Sequence, residues 1–147
     1  MDLTLDELRA GFEADPSDPR AYRALVAALS TGTEPRELAE LHERWAETCG
    51  DPLVAARALA QAGEQREAFG DGERAERQYL RALELDPRQD LATRAFLRLA
   101  GEHHNVHRHV EQLTHWATRL VEVGASPSER AEVELALARA HAAAKGR

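Results

Sequence analysis

Five of the seven histidines in this chain crowd one short stretch: His103, His104, His107, His109 and His115. Imidazoles at that density raise two chemistries, metal ligation and titration near neutral pH. His103 and His107 stand four residues apart and share a face where both are helical. His107, Glu111 and His115 share another. Eight residues of helix rise about 12 Å, so His107 and His115 cannot ligate one ion. A single helix here supplies at most two ligands where zinc takes three or four, no cysteine joins them and no HExxH motif occurs. No metal site is therefore expected. Protonating all seven histidines would take the formal charge from −7 to 0 (−7 + 7), which would favour self-association in mild acid. A turn followed by a solvated helix face is the simpler reading, and it is the one adopted. Cys49 is the lone cysteine. His42 lies seven residues before it, about 10 Å along a helix axis, too far for a nucleophile–base pair. The chain has no phosphate loop, nucleophile elbow or carboxylate pair with catalytic context. Neither an enzyme nor a cofactor is expected.

Composition narrows the class further. The formal net charge of −7 argues against general nucleic-acid binding, which draws on cationic residues to displace counterions. No run approaches the ~20 apolar residues of a membrane span, and the acidic N-terminus lacks the apolar core of a secretory signal. With a single cysteine, no intrachain disulfide is available, so a cytoplasmic protein is expected. Lys145 is the only lysine. The arginine bias among the remaining basic residues fits GC-rich coding better than a dedicated anion site. Alanine, leucine, glutamate and arginine dominate, and all are strong helix formers.

Local signals divide the chain into helices. Thr4 and Glu7 have capping-box spacing before the stripe Leu5, Leu8 and Phe12. Asp18-Pro19 opens a helix with Tyr22, Leu25, Val26 and Leu29 on its buried side, and Pro35 to Cys49 follows with Leu38, Leu41, Trp45 and Thr48 in register. Leu53 to Phe69 is long and alanine-rich. Gly70-Asp71-Gly72 then starts a helix that ends at Asp86-Pro87, with Ala75, Tyr79, Ala82 and Leu85 on one face. Asp90 to Ala100 has Leu91, Ala95, Phe96 and Leu99 for packing, and Val106 to Val123 has Val106, Val110, Leu113, Ala117 and Leu120. Ser126-Pro127-Ser128-Glu129 starts the last helix, which runs to about Ala144. Trp45 and Trp116 read as packing residues. Pro19, Pro52, Pro87 and Pro127 punctuate successive helix pairs at spacings of 33, 35 and 40 residues. The first two spacings match a 34-residue helix–turn–helix period.

The stretch from Gly70 to Pro87 closely resembles the second helix of a tetratricopeptide (TPR) repeat: turn, small residue, aromatic, Ala, then Asp-Pro. Asp18 to Leu25 resembles the start of a TPR first helix, and Leu59, Ala62 and Gly63 stand where the family packs its helices. Arg66 replaces the usual aromatic. The 88–145 stretch is similar to the longer repeats of large bacterial scaffold proteins. The resemblance implies an all-α, right-handed TPR-like solenoid of about eight helices in antiparallel pairs. It would be one domain over 1–147: a half repeat (1–16), repeats at 18–51, 52–87 and 88–124, and a terminal helix at 126–145.

Aligned on the family, the first helices of the pairs line a concave groove. The outward positions there are Arg20, Arg23, Ala24 and Ala27; then Arg57, Gln61, Glu64 and Glu67; then Ala92, Phe96, Leu99, Glu102 and His103. The resemblance implies a non-enzymatic adaptor that binds a peptide or helix of another protein. Its groove would be formed by Arg20, Arg23, Arg57, Gln61, Glu64, Phe96, Leu99 and His103, with the arginines gripping a carboxylate and Phe96 or Leu99 anchoring an apolar side chain. The Lys/Asn/Arg clamp of some TPR cochaperones is not reproduced. The alternative is a structural subunit that self-associates through its terminal helices, using the alanine-rich face of the last one (Ala136, Ala138, Ala140, Ala142, Ala143, Ala144).

Overall fold

Proline, aspartate and glycine set the helix boundaries. A computed structural model describes residues 2–32, 34–102 and 106–146. The described residues form helices α1 (Leu5–Ala14), α2 (Pro19–Ser30), α3 (Pro35–Thr48), α4 (Pro52–Ala68), α5 (Gly72–Leu85), α6 (Asp90–Glu102), α7 (Val106–Glu122) and α8 (Pro127–Lys145), and no strand. Thr4–Glu7 and Ser126–Glu129 both close capping boxes. Asp18, Asp51 and Asp71 each accept hydrogen bonds from backbone N–H groups of the first turn of α2, α4 and α5. Proline at the start of α2, α3, α4 and α8 removes an N–H that would have no partner there. After α4 the chain reverses through Gly70 at φ 87°, a left-handed conformation that glycine adopts without a Cβ clash.

Each of α1 to α5 packs on the next helix, α5 on α6, and α7 on α8. Next-but-one neighbours touch as well: α4 with α6, α5 with α7, and α6 with α8. Two apolar clusters result. Phe12, Leu25, Leu29, Leu38, Leu41 and Trp45 form the first, closed by Ala58 of α4. The second runs from Ala56, Leu59 and Ala60 of α4 through Tyr79, Phe96, Leu113, Trp116 and Leu120 to Val133 of α8. α4 belongs to both clusters. It buries Ala55, Ala56, Ala58, Leu59, Ala60, Ala62 and Gly63, so its apolar residues circle the axis as in a helix enclosed by neighbours.

At the α4–α5 contact there is no room for a side chain at position 63. A Cβ added to Gly63 would lie 2.5, 2.8 and 2.9 Å from three ring carbons of Tyr79. One turn on, Arg66 is 5% exposed and charged. Its Nε and Nη2 donate to the two oxygens of Glu43 on α3 at 2.8 and 2.7 Å, and Gln78 of α5 donates to the same carboxylate. Where the repeat pattern has an aromatic, a fork-to-fork ion pair ties α3, α4 and α5 together. Expected and observed elements differ in places. Leu85 was expected on the α5 core face, yet it is 41% exposed, and Leu83 is buried instead. Ten residues of helix leave Leu85 about 80° from Ala75, on the edge that faces water. In α7 the core also takes in His109, which is 1% exposed, next to Glu76 of α5.

Candidate functional site

On α2 the residues Tyr22, Arg23, Val26 and Ala27 recur at helical spacing, and so do Val54, Arg57, Ala58 and Gln61 on α4. These two rows face each other across α3, which contributes His42 and Trp45. Between them lies a cleft of about 450 Å³. Its floor is aromatic. The rings of Tyr22 and Trp45 stack with centroids 4.6 Å apart and planes 9° from parallel. The Tyr22 hydroxyl is hydrogen-bonded to Nδ1 of His42 at 2.7 Å.

Burial decides the charge state of that floor. Desolvation pushes the His42 imidazole down to about 4, so the ring is neutral at pH 7 even though Glu43 pulls the other way. Burial also pushes the Tyr22 phenol up to about 12, with the positive charge of Arg57 pulling it down. The tyrosine and histidine therefore form a neutral pair with its polar atoms directed at each other. The charges of the cleft sit on its rim. Arg23 and Arg57 are exposed, and among the described residues neither has a carboxylate within 4.0 Å. Arg9, Arg66 and Arg98, by contrast, are paired with Glu37, Glu43 and Glu67 at 2.7 Å. Arg20 is also exposed, with no carboxylate partner among the described residues, but it lies outside the cleft lining.

Further along α4 the same face changes character. Glu64 and Glu67 border a second cleft of about 410 Å³ with Tyr79, Leu91, Arg94, Ala95 and Arg98. This one is neutralised internally. Glu67 accepts from Arg98 at 2.7 and 2.9 Å and from the Tyr79 hydroxyl at 2.5 Å. Burial pushes the Glu67 carboxyl up, but those hydrogen bonds outweigh it and hold the group below its ordinary range.

Of the groove expected from sequence, Arg23, Arg57 and Gln61 thus line one cleft, and Glu64 lines the next. Phe96 and Leu99 do not line a surface. They are 0% and 6% exposed, and the Phe96 ring meets the edges of His109 and Trp116 at 6.1 and 5.9 Å. α6 turns these positions inward because α7 and α8 need an apolar floor. His103 and His104 lie outside the described residues. His107 is exposed, and His115 is 2.6 Å from Glu84. Among the described residues no group of three potential metal ligands converges. Burial holds His42 near 4, so it does not take up a proton in mild acid as the charge change expected from sequence requires. Cys49 has carbonyl neighbours, Asp51 O at 3.5 Å and Ala46 O at 3.9 Å. Sequence reasoning missed the Tyr22–His42–Trp45 floor. Its only signal was His42 three residues before Trp45 on the α3 stripe.

Comparison with known proteins adds no identity. The chain matches no family model, no curated protein and no solved structure. Among the described residues no helix is long and apolar enough to cross a membrane.

Proposed function

We propose that this protein is a non-enzymatic adaptor of TPR-like construction, a right-handed solenoid of antiparallel helix pairs. Its α2–α3–α4 cleft binds a carboxylate-bearing peptide or helix of a partner protein. One observation carries the reading. In a chain of net charge −7, two arginines at the rim of an aromatic-floored cleft have no carboxylate partner among the described residues, although acidic residues outnumber basic ones 26 to 19. A guanidinium left open beside the exposed Val54 and the partly exposed Tyr22 ring suits an extended segment that offers an acid and an adjacent apolar side chain. The helix order and the contacts between next-but-one helices support the repeat reading. The neutral, mutually satisfied Tyr22–His42 pair supports binding over acid–base chemistry.

Affinity capture from the native cell extract tests the reading, with wild type beside Arg20→Glu/Arg23→Glu/Arg57→Glu. These side chains are exposed, so the variant keeps its fold while the rim changes sign. A partner that disappears with the variant, and whose wild-type complex weakens with salt, is the expected result. A captured set identical for both proteins would overturn the reading.

A further inference from the structure

α8 carries two apolar stripes. The inner one, Val133, Ala136, Leu137 and Ala140, packs on the second core cluster. The outer one is Ala131, Leu135, Ala138 and Ala142, every residue of it exposed and Leu135 at 52%. Its spacings of 4, 3 and 4 residues are those of a heptad seam. The positions flanking the seam are polar and segregated by kind, acidic residues first and basic ones second. Glu132 and Glu134 border its first half, Arg139 and His141 its second, and all four are exposed. The seam ends where polar residues take the same register, at Ser128 and Lys145.

That pattern selects a partner. A second α8 laid antiparallel over the first brings Leu135 against Ala138 of the other copy and Ala131 against Ala142. The same overlay sets Glu132 opposite Arg139 and Glu134 opposite His141, twice each by symmetry. A parallel overlay brings only Glu134 against Arg139 of the other copy and leaves Glu132 and His141 facing Pro127 and Gly146 instead of an opposed group. The antiparallel arrangement also opposes the two helix dipoles. Each surface then meets an identical copy of itself, which a closed two-fold dimer requires. Of these flanking groups, only Glu134 has an ion-pair partner among the described residues, Arg130 at 3.5 Å on its own helix. We infer that the outer face of α8 is a homodimer interface, an antiparallel helix pair running up to about 28 Å. This surface is separate from the α2–α3–α4 cleft, and either assignment can fail without the other.

Sedimentation velocity over a concentration series is the test. Wild type should show a reversible monomer–dimer equilibrium. Leu135→Glu, with unchanged circular dichroism, should raise the dimer dissociation constant by about tenfold or more, because two leucines leave each dimer. Glu132→Arg/Glu134→Arg and Arg139→Glu/His141→Glu should each be monomeric alone and dimerise when mixed. Orientation is read by disulfide capture in a Cys49→Ser background. Copies carrying Ala131→Cys should link to copies carrying Ala142→Cys and not to each other. A monomer at every concentration would refute the interface, as would a dimer indifferent to Leu135→Glu. Capture between two Ala131→Cys copies would refute the antiparallel overlay. Arg23→Glu/Arg57→Glu, remote from α8, should leave the dimer intact.

Discussion

Gly63→Ala separates local propensity from packing, because the two predict opposite signs. In an isolated helix, replacing glycine with alanine stabilises by up to about 1 kcal/mol. In the folded protein the new methyl would sit 2.5–2.9 Å from three carbons of the Tyr79 ring, where ordinary carbon contacts are about 3.5–4.0 Å. Tyr79 cannot step aside easily. It is 1% exposed, and its hydroxyl is held by Glu67, which Arg98 in turn grips with two hydrogen bonds. α4 and α5 must therefore part by several tenths of an ångström or more along their contact. Overpacking of this kind costs about 1–3 kcal/mol, and three simultaneous clashes belong at the upper end of that range. Less the propensity gain, the net loss is about 2 kcal/mol, or about 4–8 °C in Tm for a chain of this size. The assay is thermal and urea unfolding, with Gly11→Ala as control. Gly11 lies in α1 and has nothing within 4 Å of an added Cβ, so that variant should gain stability. A Gly63→Ala variant at or above the wild-type Tm would refute the α4–α5 packing described above.

Three further outcomes follow from burial and charge. Phe96→Ala should cost about 3–5 kcal/mol, the loss typical of a buried phenylalanine; a loss below about 1 kcal/mol would return the ring to a surface role. Arg66→Ala should cost about 3 kcal/mol, because it leaves the half-buried Glu43 carboxylate with the neutral Gln78 amide in place of its counter-charge, and urea midpoints would show it. His42 has its folded-state pKa depressed to about 4, so the unfolded chain binds the proton more readily between that value and about 6.5. Its contribution to stability is therefore complete above pH ~6.5 and is lost as pH falls through that window, by up to about 3 kcal/mol. Comparing the stability–pH slope of wild type with that of His42→Phe checks this, and identical slopes would contradict a buried neutral imidazole.

How much of this was legible in sequence varies with the range of the interaction responsible. Helix starts could be read because their causes are local: Asp18, Asp51 and Ser126 meet N–H groups two or three residues away. Arg23, Arg57 and Gln61 could be ranked together from alignment on a repeat pattern, but not the Tyr22–Trp45 stack beneath them. That stack depends on how α2 lies on α3. Phe96 illustrates the opposite error. Helical spacing placed it equally well on a groove or a core, and the approach of α7 and α8 made it core.

The sequence by itself determined an all-helical chain and the order and approximate bounds of its helices, which follow from spacing and capping within one or two turns. Only the tertiary structure decided which arginines are free. Arg66 and Arg57 lie nine residues apart on α4. One is neutralised by Glu43 from α3, and the other opens onto an aromatic cleft. A charge is matched or left unmatched by residues that folding brings to it, and those residues lie tens of positions away along the chain.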